Sequence, residues 1–268
     1  MSLGCENATL KSEKHEGMRH IIAILNQKGG VGKTTSTINI GAYLAKMGRS
    51  VLVVDLDPQG NATSGLGQQG NFDSTTYDVL LGRANLSEVI IDLDESNISL
   101  VPANANLAAS EVELVSQPDR ESRLRQSLAH ASHDYVLIDC PPSLGLLSIN
   151  ALTASDYVII PVQAEYYALE GLTQLLGTIQ RVRKGLNPDL NLLGVVVTMY
   201  DSRTSLSESV YKELQKHFKQ KLFKTVVPRN VRLAEAPSHG KTILAHDKWS
   251  RGARAYKALA KEIDQNVR

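Results

Sequence analysis

The sequence predicts an α/β fold: one domain built on a mostly parallel, twisted sheet with helices on both faces. Three observations predict it. Short apolar runs recur along the chain with helical patterns between them, the order that builds parallel strands joined by crossover helices. The 268 residues are 42% apolar and 21% charged, enough to bury a sizeable core in a single unit. No run approaches the about 18 consecutive apolar residues of a membrane span, and no Pro/Gly/Ser-rich linker or repeat divides the chain.

Residues 1–18 are polar, lack hydrophobic periodicity and precede a second methionine, Met18; they read as a tail or an added extension, and the domain is expected over residues 19–268. Without the apolar stretch of a secretory signal, the protein is expected in the cytoplasm. Strands are expected at Ile21–Leu25, Val51–Val54, Ile98–Val101, Tyr135–Ile138, Tyr157–Ile160, Leu193–Val197 and Thr225–Val227. The helix after the first strand is marked by an Ile38, Ala42 and Ala45 stripe, with Gly48 where a C-terminal cap belongs. Cys5 and Cys140 make neither a disulfide framework nor a CxxC metal site, and the seven histidines have no ligand spacing.

The segment Lys28-Gly29-Gly30-Val31-Gly32-Lys33-Thr34-Thr35 lies between the first strand and that helix. This is the context a phosphate loop needs. Glycines let backbone N–H groups approach phosphate closely, and the helix N-terminus adds positive potential. Lys33 is expected to reach the β- and γ-phosphates and Thr34 to offer its hydroxyl to Mg²⁺. A nucleoside triphosphate is the implied ligand, and a P-loop NTPase the expected fold. The usual motif has glycine at position 27, where this chain has Gln27, and it makes no demand for a lysine at position 28.

Asp55 and Asp57 close the second strand run, where the carboxyl edge of a parallel sheet holds ligands. Asp139 follows Tyr135-Val-Leu-Ile, a hydrophobic strand ending in a carboxylate suited to Mg²⁺, and Pro141-Pro142-Ser143 makes a stiff exit placed to register a γ-phosphate.

Lys28 before the glycine pair matches the deviant Walker A motif. With Asp55-Leu-Asp-Pro-Gln-Gly, Asp139-Cys-Pro-Pro-Ser, Glu165-Tyr-Tyr-Ala-Leu-Glu-Gly and Pro228-Arg-Asn-Val-Arg-Leu-Ala-Glu-Ala-Pro, the chain resembles the ParA/Soj partitioning ATPases over nearly everything after Met18. The resemblance implies ATP with Mg²⁺, and an ATP-dependent homodimer in which Lys28 crosses to the partner's nucleotide. It implies that Asp57 positions or activates the attacking water, that Asp55 lies nearer the metal shell, and that Asp139 is a Walker B carboxylate. Related proteins recognise adenine through an Asn at the end of the Leu193–Val197 strand; this chain has Thr198 there, so Pro228 and Asn230 are expected to pack and contact the base.

Charge is uneven along the chain. Residues 1–200 carry 14 Lys/Arg against 21 Asp/Glu, a net −7, and residues 201–268 carry 15 against 7, a net +8. Phosphate contacts without base reading give sequence-independent, salt-sensitive DNA binding. The resemblance implies that activity for the ATP-bound dimer, nucleoid association, and a ParB-type partner that stimulates hydrolysis. Arg203, Arg229, Arg232 and Lys248 are the expected DNA contacts. The alternative is a MinD-like membrane-positioning ATPase, which needs a C-terminal helix with a free apolar face. The stripe of Tyr256, Leu259, Ala260, Ile263 and Val267 is expected to be core instead, so stable membrane association is not expected.

Overall fold

The computed structural model describes residues 19–93, 97–165 and 170–267; the expected tail at 1–18, with Cys5, lies outside them. Among the described residues the strands are β1 (His20–Ile24), β2 (Val51–Asp55), β3 (Ile91–Leu93), β4 (Ile98–Val101), β5 (Tyr135–Asp139), β6 (Tyr157–Gln163) and β7 (Asn191–Thr198). The helices are α1 (Lys33–Lys46), α2 (Asn61–Gly65), α3 (Thr76–Leu81), α4 (Leu86–Val89), α5 (Leu107–Glu113), α6 (Arg123–Leu128) and α7 (Leu146–Ala154). They continue with α8 (Glu170–Gly185), α9 (Ser205–Phe218), α10 (Val231–Glu235), α11 (Ile243–His246) and α12 (Arg251–Asn266).

The strands form one sheet in the order β3-β4-β2-β5-β1-β6-β7. All pairs are parallel except β3 with β4. The register aligns Ile24 and Asp55 with Asp139, so the carboxyl ends of β1, β2 and β5 finish level. That shared edge is where the loops carrying the conspicuous residues emerge.

Side chains alternate between two cores, because successive strand residues point to opposite faces. Ile21, Ala23, Leu52, Val54, Val136 and Ile138 pack under α3 to α9, while Ile22, Ile24, Val51, Val53 and Leu137 pack under α1, α2 and α10 to α12. The α12 stripe of Tyr256, Leu259, Ala260, Ile263 and Val267 is buried in the second core, as expected. Asp264 ties the helix down further: Arg49 Nε and Nη2 donate to its carboxylate at 3.0 and 3.1 Å, and the Tyr135 hydroxyl donates at 2.7 Å. Gly48 caps α1 as expected, with φ of 88° and its N–H donated to the Ala45 carbonyl.

The structure departs from the expected strands twice. Thr225–Val227 is not a strand, although Val227 N–H donates to the Val197 carbonyl beside β7. The Lys224 and Thr225 N–H groups are taken by the Glu262 carboxylate on α12, and Pro228 has no N–H to extend a ladder. The short β3, whose three-residue Ile-Asp-Leu alternation is not among the expected strands, adds an antiparallel edge, with Asp92 accepting from the Ser99 hydroxyl at 2.7 Å.

Candidate nucleotide site

The loop between β1 and α1 turns on two glycines in the left-handed region, Gly30 at φ 74° and Gly32 at φ 87°; a side chain there would strain the backbone. Gly32 is the N-cap of α1, whose first-turn N–H groups therefore open toward the loop. Lys33 is nearly buried and its ammonium donates to the Lys28 carbonyl at 3.3 Å. Burial lowers its pKa, opposed mainly by the Asp139 charge. Gln27, standing where the usual motif has glycine, sends its amide to the Gly171 carbonyl on α8 at 3.1 Å.

Asp139 is fully buried at the end of β5. It accepts a 2.6 Å hydrogen bond from the Thr34 hydroxyl and a 3.0 Å bond from the Thr37 hydroxyl, one turn further along α1. Burial pushes its carboxyl pKa up and neighbouring Asp55 pushes it further, against the two hydroxyls and Lys33. Among the described residues no group of three or more His, Cys, Asp or Glu side chains could hold a metal. The Thr34 hydroxyl and Asp139 carboxylate are hard oxygen donors of the kind Mg²⁺ takes when phosphate and water complete its shell, so the residues present fit that ion.

Asp55, expected near the metal shell, has a different set of partners. Its Oδ2 accepts from the Thr63 N–H at 2.8 Å and hydroxyl at 2.7 Å, and its Oδ1 from the Asp57 N–H at 3.2 Å. Fully buried, it clamps the turn that carries Asp57 to the start of α2. Asp57 stands beyond that clamp, with Oδ1 accepting from the Gln59 N–H at 3.0 Å.

Asp57 lines a cavity of about 390 Å³ together with Gly29, Gly30, Gly32, Lys33, Thr34, Thr35 and Pro142. An adjoining cavity of about 360 Å³ is lined by Thr198, Val227, Pro228, Arg229, Asn230, Leu233 and Tyr256. Gly32, Thr35 and Met199 line both, joining a polar half to a more apolar one. Expected phosphate residues Gly29, Gly30, Gly32, Lys33, Thr34 and Thr35 and expected base residues Pro228 and Asn230 are thus brought to one continuous cleft, whereas Lys28 and Val31 line neither cavity; the Val31 carbonyl accepts from the buried Thr198 hydroxyl at 2.8 Å. Met199 reaches the junction through a left-handed backbone, φ 50°.

Thr37, Thr63, Thr198 and Met199 were not singled out as site residues by sequence. Threonine hydroxyls carry no periodic signal, and their partners lie on other elements.

Lys28, at the start of the glycine-rich loop, meets Glu165, just past the end of β6. Their charged groups are 3.0 Å apart and each side chain is 45% exposed. The Lys28 N–H is fixed by Asn26 Oδ1 at 3.0 Å, and Gln163 donates its amide to the other Glu165 oxygen.

The expected DNA contacts Arg203, Arg229, Arg232 and Lys248 are all exposed, Arg232 on α10 itself. Arg203 pairs with Asp201 at 2.7 Å; its hydrogen bonds, with the nearby Arg229 charge, hold that carboxyl well below the usual carboxylate range. Arg232 pairs with Glu235 at 2.9 Å and lies 3.8 Å from Asp247, next to Lys248.

A parallel sheet whose central strands end in a glycine-rich loop and a buried carboxylate defines an α/β protein of the P-loop NTPase class. A family model described as an AAA domain matches residues 19–192. The chain is 55% identical over 252 residues to the sporulation initiation inhibitor protein Soj of Bacillus subtilis, covering 93% of this chain and 100% of that protein. It is 52% identical over 246 residues to the chromosome partitioning protein ParA of Myxococcus xanthus, covering 91% and 87% of the two chains. The solved structure of cobyrinic acid a,c-diamide synthase from Mycobacterium smegmatis, with a bound ATP analogue and magnesium, superposes with a TM-score of 0.80 at 40% identity, covering 91% of this chain and 93% of that one. The chain belongs to the ParA/Soj family of chromosome-partitioning proteins.

Proposed function

We propose that the protein is an ATP-hydrolysing DNA-partitioning protein whose ATP-bound dimer binds DNA without sequence preference. The observation that carries the reading is the continuous cleft in which Lys33, Thr34 and Asp57 face one cavity while Pro228 and Asn230 line the next. The triphosphate lies along the loop N–H groups with the base between Pro228 and Asn230. Lys33 binds the β- and γ-phosphates. Thr34 and Asp139 would hold Mg²⁺, which when bound draws negative charge from the phosphate oxygens.

Asp57 orients the attacking water and receives its proton on a carboxylate oxygen as the γ-phosphorus–oxygen bond to the leaving ADP breaks. Asp55 supports that geometry by holding the turn that carries Asp57. Lys28 leaves Glu165 and crosses to the partner protomer's nucleotide, supplying charge at the transferred phosphoryl group and making turnover depend on dimerisation. The dimer joins two basic surfaces into one bivalent surface, so ATP controls DNA affinity through association. Hydrolysis, stimulated by a ParB-type partner, releases the DNA. Burial of the α12 stripe favours this over the membrane reading, since that helix keeps no free apolar face.

The test is binding to unrelated duplex DNA without nucleotide, with ADP and with ATP–Mg²⁺, across a salt series. Binding only with ATP, falling steeply with salt, is expected, and charge reversal at Arg203 or Arg232 should weaken it. Absence of DNA binding in every state removes the partitioning mechanism and leaves the nucleotide site.

A further inference from the structure

Trp249, the only tryptophan of the chain, stands on the surface, 78% exposed. Exposing an indole forgoes about 1.5–3 kcal/mol of burial, so a tryptophan held outward by a well-braced turn calls for a partner. The turn is braced on both sides. Trp249 N–H donates to Asp247 Oδ1 at 3.1 Å, Ser250 N–H donates to the Asp247 carbonyl at 3.2 Å, and the Ser250 hydroxyl caps α12 by accepting from Ala253 N–H at 3.0 Å.

The surroundings are cationic. The Lys248 ammonium lies 5.4 Å from the centre of the indole ring, and exposed Arg251 and Arg254 occupy the first turn of α12. Arg232 reaches the same turn through Asp247, 3.8 Å away. The acids here are Asp247 and Glu235, and both face Arg232, with His246 3.7 Å from Glu235. The α10 segment is pressed close to the start of α12: a Cβ at Gly252 would stand 2.6 Å from the Leu233 side chain.

We propose that Trp249, backed by Lys248, is a DNA-contacting side chain that enters the groove while the flanking Arg and Lys groups hold the phosphates. A flat ring with Lys248 beside it, on a turn rich in Lys and Arg, matches a ligand that alternates anionic phosphates with apolar sugar and base faces. A lipid surface is matched less well, because an interfacial anchor needs a broad apolar face and the apolar stripe of α12 is inside the core. The contact is independent of base sequence. The inference rests on the DNA-binding reading above and names a residue that reading did not assign.

The single tryptophan makes the test direct. In the full chain with ATP–Mg²⁺, indole emission is followed as unrelated duplex DNA is added, with a mobility shift run in parallel. DNA is expected to quench or shift the emission beyond any change caused by nucleotide alone, reversibly with salt. Trp249→Ala is expected to lower DNA affinity by about five-fold or more, with Trp249→Phe losing less, both variants melting like the parent. Tight DNA binding with unaltered emission and an unweakened Trp249→Ala variant would overturn the inference while leaving the DNA reading intact. Emission that responds to phosphatidylglycerol vesicles but not to DNA would also overturn it. No mobility shift in any protein removes the DNA reading and this inference together.

Discussion

The Lys28 ammonium sits 3.0 Å from the Glu165 carboxylate, a partner 137 residues away in the chain. The pair is half exposed, and ion pairs of that kind contribute about 0–1 kcal/mol. Such a pair can hold a side chain in place and still be exchanged at little cost. If Lys28 must move to a partner's nucleotide, Glu165 competes with that nucleotide for the same charge. Glu165→Gln should therefore promote ATP-dependent dimerisation, by up to about five-fold in dissociation constant. Sedimentation with a non-hydrolysable ATP analogue measures this; weaker dimerisation in the variant would show that Glu165 supports the dimer instead.

Lys33 and Asp57 share one cavity but should fail differently when removed. Lys33→Ala should lose nucleotide binding, read by titration calorimetry. Asp57→Ala should keep ATP binding and slow phosphate release by about 10²–10⁴-fold, the usual contribution of a positioned general base. Normal turnover in Asp57→Ala would take this residue out of the catalytic role.

Thr198 offers a test of the loop's bracing. Its hydroxyl donates to the Val31 carbonyl at 2.8 Å from the end of β7, and Thr198→Val keeps the shape while deleting the donor. Leaving that carbonyl without its partner should cost about 1–3 kcal/mol in urea denaturation and weaken ATP binding through a looser loop. Unchanged values for both would mean that the brace is dispensable.

Asp264 should govern part of the acid limb of stability. Burial raises its pKa, but the Arg49 and Tyr135 hydrogen bonds outweigh this and hold the carboxyl below the ordinary aspartate value. A carboxyl depressed on folding stabilises above its unfolded pKa, and that contribution disappears as pH falls through the lower folded value. Asp264→Asn should thus be less stable than the parent by about 1 kcal/mol at neutral pH and converge with it in strong acid. A constant difference across the whole range would assign the loss to packing.

Much of the nucleotide site is legible in the sequence because it is local. The phosphate loop is one contiguous segment between a strand and a helix, and Asp55, Asp57 and Asp139 each follow a run of apolar residues that marks a strand end. Six of the seven expected strands follow from the same apolar runs, since burial on both faces leaves little choice of residue.

Tertiary structure decided what each of those residues touches. The register of β2 against β5 sets Asp55 beside Asp139, but it is Thr63 that takes up Asp55 and Thr34 with Thr37 that take up Asp139. Glu262 on α12 claims the N–H groups of Lys224 and Thr225, which leaves Val227 N–H as the one of Thr225–Val227 bonded to β7. The physical reason is the same in each case. A glycine-rich turn and an apolar strand are specified by neighbours along the chain, whereas a carboxylate or hydroxyl bonds whichever polar group the packed sheet and helices bring within about 3 Å, and sequence periodicity does not encode that choice.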